Sequence, residues 1–289
     1  VLTVLLGLAG ALTYGAADFF GGLASRRSST LLTTAGVAVV GLAGLLVASA
    51  VVPATSSLDA WLLGGASGLA GALAIGLLYG SLAIGPMSIL SPTTAFISAI
   101  VPVSIGLGLG EGSGASFFVA LGVALLAVIF VGFVPEKGAI RPRAIGLFMA
   151  VASGALIGLT IVLIDATPDD SGLLPLVANR TVSTVALTLT VALVLGYRRA
   201  KGAQPRLPGL AEIPGVWAMI VVAGILDVLA NVVVLYGLRV GALSVMAVLV
   251  ALYPAGTIVL AGIWLKERVA PIQWVGLALA LIASALLAL

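Results

Sequence analysis

The sequence has no cysteine and no histidine. Without cysteine there are no disulfides and no thiolate metal sites. Without histidine the commonest proton shuttle and metal ligand is gone, and with it a zinc centre or a Ser-His-Asp triad. No cofactor is expected. Charge is scarce as well, at 8% of residues, against about 25% in soluble proteins. The net charge of +3 is too small to argue for nucleic acid. No Gly-rich phosphate loop ending in Lys-Ser/Thr occurs, so direct ATP use is not supported.

What fills the chain is apolar: 62% of 289 residues are hydrophobic, and the mean hydropathy is +1.31. A membrane-spanning helix needs about 20 mostly apolar residues. Ten such runs are legible, over 2–24, 30–52, 61–83, 87–109, 115–134, 144–165, 173–197, 214–237, 242–264 and 270–289. The runs are continuous rather than alternating, which selects helices over barrel strands. The first is too long for a signal h-region and lacks a basic leader. The 37 glycines often fall in small-residue runs, which let helices approach closely. The expected fold is an all-α integral membrane protein.

Eleven of the 13 Lys and Arg residues fall in odd-numbered connections; the even-numbered side holds only Arg239. The positive-inside rule places the odd connections in the cytoplasm of a cell whose inner or plasma membrane holds the chain.

Three charged residues lie inside apolar runs: Asp18, Arg180 and Asp227. An ionisable group there is costly and marks a functional candidate. Asp227 is near the middle of the eighth run, and Asn231 one turn later shares its face. Such an acid can bind a cationic group or exchange a proton, so proton coupling is a candidate property. Asp18 lies toward the cytoplasmic end of the first run, where it can line a site, orient the helix end or pair with Arg180. Arg180 lies close to the outer end of the seventh run. Snorkelling to the interface explains it, and a carboxylate clamp is the alternative. Tyr14 and Tyr79 lie deep enough to line a cavity, although packing accounts for each. Trp61, Trp264 and Trp274 fit an interfacial belt. Pro92, Pro102 and Pro254 remove backbone donors within spans and are structural or gating candidates, the first two shaping a cavity wall. Glu111 and Glu267, in connections, are explained by helix capping or a salt bridge.

The halves resemble each other. YGSLAIGPMS at 79–88 parallels YGLRVGALS at 236–244, and Pro102 then Glu111 parallels Pro254 then Glu267. Each half has five spans, an odd number, so equivalent connections fall on opposite sides of the membrane. The reading is two inverted five-helix repeats, residues 1–137 and 138–289, with a solute site between them.

The segments GAADFFGGLASRR (15–27) and VMAVLVALYPAGTIVLAGIWLKER (245–268), with the five-plus-five pattern, resemble the EamA-type branch of the drug/metabolite transporter superfamily. The resemblance covers essentially the whole chain and implies ten helices and movement, often export, of small metabolites. The expectation is a secondary transporter of amino acids or amphipathic and cationic compounds, working as a monomer by alternating access. The competing readings are a channel, and an intramembrane lipid-modifying enzyme; the latter lacks the clustered acids, histidines or metal site it needs.

Overall fold

The computed structural model describes residues 1–84, 87–112, 114–133, 142–201, 215–266 and 270–288, with only the backbone of residues 26, 79, 82, 83, 87, 88, 91 and 92. The side chains of Tyr79 and Pro92, and Glu267 altogether, therefore lie outside the described residues.

The described chain is helical from end to end. The helices are α1 (Leu2–Arg27), α2 (Thr30–Ser49), α3 (Leu58–Ile84), α4 (Met87–Gly108), α5 (Ala115–Gly132), α6 (Ala144–Asp165), α7 (Leu174–Ala200), α8 (Val216–Val240), α9 (Leu243–Val250), α10 (Tyr253–Trp264) and α11 (Pro271–Ala288). A single 3-10 turn, Asp169–Ser171, joins α6 to α7. Among the described residues nine segments are long and apolar enough to cross a membrane, α9 and α10 together making one of them. The fourth helix, α4, is 22 residues long. The chain is an integral, multi-pass membrane protein.

The ninth span is two helices rather than one. It breaks at Ala251–Leu252, where Leu252 N–H donates back only three residues, to Leu249 at 3.1 Å. Pro254 explains the break, because it has no N–H to bond the carbonyl of Val250. Pro102 has the same deficit, yet α4 runs through it. There the carbonyl of Ser98 faces Gly158 of α6, where a Cβ would lie 2.9 Å from both that oxygen and the Pro102 ring. Pro102 thus serves the α4–α6 contact, and it is not among the residues lining the central cavity.

Glycines set the closest approaches. A Cβ on Gly15 of α1 would strike the Tyr253 carbonyl and Gly256 of α10; one on Gly154 of α6 would strike the Thr94 carbonyl of α4. Only a bare Cα allows such contact.

The principal packings follow a pattern. Helix α1 packs on α8 and on α9–α10, while α6 packs on α3 and α4; α2 packs on α7 and α8, while α7 packs on α2 and α3; α5 pairs with α11. Exchanging each helix with its counterpart five spans away returns these pairs, whereas the α4–α5 packing has no equivalent of its size between α9–α10 and α11 among the described residues.

All eight residues of α9 are buried. Apart from Ser244 the helix is apolar, as befits a helix surrounded by protein. Its N-terminal N–H groups consequently have no water to bond and need a partner. Glu111, from the α4–α5 connection, supplies it: its carboxylate accepts from Leu243 N at 2.7 Å and Ser244 N at 2.8 Å. The expected capping role of Glu111 is present, on a helix of the other half.

A cavity holding three intramembrane charges

A cavity of about 590 Å³ lies among α1, α2, α3, α6, α7 and α8, with Tyr253 of α10 at its edge. Among the described residues, the charged ones lining it are Asp18, Arg180 and Asp227. These are the three that stand inside the apolar runs of the sequence.

Arg180 and Asp227 form an ion pair, Nη2 to Oδ2, with side chains 15% and 18% exposed. This corrects two expectations: Arg180 does not snorkel to the interface, and its partner is Asp227 rather than Asp18. The pair bridges α7 and α8 and rests on α2 at Gly41. A Cβ on Gly41 would sit 3.4 Å from Arg180 Nε and 3.6 Å from Asp227 Oδ2. Arg180 Nε is buried without a hydrogen-bond partner. Asn231 lines the cavity as its spacing from Asp227 implies, and its Nδ2 donates to the Asp227 carbonyl at 2.7 Å.

Asp18 is accessible within the cavity, and no hydrogen bond or ion pair involves it among the described residues. Tyr14, one turn earlier on α1, lines the same wall. Beyond Asp18 that wall is bare, because a Cβ on Gly21 or Gly22 would meet nothing within 4 Å. Thr33 of α2 also lines the cavity, 2% exposed, with its hydroxyl unpartnered. Asn179 lines it while donating to Ser67 Oγ at 2.7 Å. The sequence reading missed Thr33 and took Tyr253 for a packing aromatic; a hydroxyl or a phenol in a span carries no signal of which way it faces. Trp217 and Tyr236 are 50% and 45% exposed and line no part of the cavity.

The cavity reaches Ser25 and Thr30, which flank the α1–α2 connection. At the opposite end the connections are laced together. Arg239, at the end of α8, donates to the Thr167 carbonyl, to Thr167 Oγ1 at 2.8 Å, to Ser171 Oγ at 3.2 Å and to Asp169 Oδ1 at 3.0 Å. Thr55 N, in the α2–α3 connection, donates to the Asp170 carbonyl at 2.8 Å. Glu111 completes the set on α9. The sequence reading used Arg239 only as a topology marker.

The family model for EamA-like transporters matches residues 144–289. The chain belongs to the EamA-like transporter family. Membership makes it a transporter with a small-molecule substrate. A crystal structure of a protein 15% identical in sequence aligns with a TM-score of 0.75 over 99% of this chain and 95% of that one, so the two share a fold. No curated protein matches the chain. Among the described residues no group of His, Cys, Asp and Glu could hold a metal ion.

Proposed function

We propose that the protein is a secondary transporter that moves small polar or amphipathic metabolites by alternating access around the central cavity. The observation that carries the reading is the Arg180–Asp227 pair beside an open cavity in the middle of the spans. Intramembrane charges are retained where they face a solute pathway. The exchangeable packing of the two five-span halves supports an inverted repeat, divided at 137/138, a point outside the described residues. Such repeats give two alternative packings around one midplane site.

The state seen here has its cavity toward the α1–α2 connection and its far end laced by Arg239 and Glu111. With the basic odd-numbered connections in the cytoplasm, it faces inward, as an exporter does when it loads. Asp18 and Asp227 are the candidates for proton coupling. The described residues lining the cavity all come from helices of one chain, which supports a monomer in the inner or plasma membrane as the working unit. A channel would need a continuous path, which the laced end opposes.

The test is counterflow in proteoliposomes. Saturable uptake driven by unlabelled solute inside, and lost in Asp227→Asn, is expected. Flux that never saturates and follows voltage alone would establish a channel instead.

A further inference from the structure

We propose that the cavity takes an organic cation, and that Asp18 is the residue that holds its positive charge. The inference rests on the transport reading above and names the substrate class for the same cavity. Among the described residues three charged side chains line it, and two neutralise each other. With Asp18 ionised, the cavity carries one unbalanced negative charge. A substrate carboxylate would have to compete with Asp227 for Arg180 and would add a second negative charge. A cation displaces nothing, and it supplies the partner that a carboxylate in a low-dielectric setting otherwise lacks.

The surroundings of Asp18 suit an organic rather than a bare inorganic ion. Tyr14 lies one turn away on the same helix face, and Tyr253 lines the same cavity; aromatic faces attract ammonium groups. Gly21 and Gly22 leave the wall between Asp18 and Ser25 without side chains, which gives a bulky headgroup an approach. A cavity of about 590 Å³ is far larger than a metal ion needs and falls in the range of small-molecule sites.

The experiment measures binding of radiolabelled tetraethylammonium to the full chain in nanodiscs of zwitterionic lipid, with benzoate, leucine and sodium as competitors. Wild type is expected to bind tetraethylammonium saturably, with none of the three competing. Asp18→Asn is expected to weaken binding at least about tenfold, the loss of one charge-assisted contact, and Asp18→Glu to recover part of it. Gly22→Val, whose Cβ meets no neighbour within 4 Å, is expected to weaken binding by obstructing the approach. Asp59→Asn, on the exposed first turn of α3, should bind as wild type does. Unchanged binding in Asp18→Asn, or displacement by benzoate or leucine, overturns the assignment, and displacement by sodium replaces the organic cation with an inorganic one. If tetraethylammonium does not bind while another solute shows counterflow, the cation site falls and the transport reading stands. If no solute shows counterflow, both fall.

Discussion

Separating Arg180 from Asp227 gives a sharp energetic prediction. Each single substitution leaves a charge at a site only 15–18% exposed. Removing one partner of a buried pair costs about 3–5 kcal/mol. Because both side chains border an open cavity, the lower end applies, about 3 kcal/mol for Arg180→Gln and about the same for Asp227→Asn. The double variant has no charge to strand, and an amide–amide hydrogen bond returns about 1 kcal/mol. Its cost should be about 1–2 kcal/mol, well below the sum of the singles. At roughly 2–4 °C per kcal/mol, each single should lower the apparent unfolding midpoint in detergent by about 6–12 °C. The double should lower it by less than either. If the double is as unstable as the two singles summed, the pair contributes no coupling and the reasoning fails. Flux separates structure from function: all three variants should lose transport, and a double variant transporting like wild type would make the pair purely structural.

Three further expectations follow from the packing. Glu111→Ala leaves the two N-terminal N–H groups of buried α9 without acceptors and should cost about 2–4 kcal/mol. Gly106→Ala should reproduce part of that loss, because a Cβ there collides with the Glu111 carboxylate; an unchanged midpoint in both variants would refute the cap. Gly15→Ala forces α1 away from the Tyr253 carbonyl and should destabilise by about 1–3 kcal/mol, read from the same melting curves. Arg239→Ala removes its bonds to Thr167, Ser171 and Asp169 and should expose the cavity to the far side. Thiol labelling detects this directly, since the natural sequence has no cysteine.

Much of the molecule was legible in the sequence, and the physics says which parts. The spans follow from uninterrupted apolar runs, a property of each segment alone. The three cavity charges were equally visible, because a charge in such a run needs no tertiary information to stand out. Which charge meets which was not. Asp18 and Asp227 are both carboxylates on spans, and helix rotation and neighbour choice decide that Arg180 faces the second. Pro102 and Pro254 look alike in sequence, yet only the latter breaks its helix, since Gly158 accommodates the carbonyl freed by the former. Arg239 sits at a span end, where a cation is ordinary; its role depends on a connection 68–72 residues away in the chain.

The central claim is a cavity open to one side at a time, and a single cysteine at Ala72 tests it most directly. Ala72 lines the cavity on α3, and Ser56→Cys and Lys201→Cys, both exposed and at opposite ends of the spans, serve as side references. A membrane-impermeant thiol reagent should modify Ala72→Cys only from the Lys201 side. Adding Arg239→Ala should bring in reactivity from the Ser56 side. Modification of Ala72→Cys from the Ser56 side alone, or equally from both sides in an otherwise unaltered chain, would contradict the account.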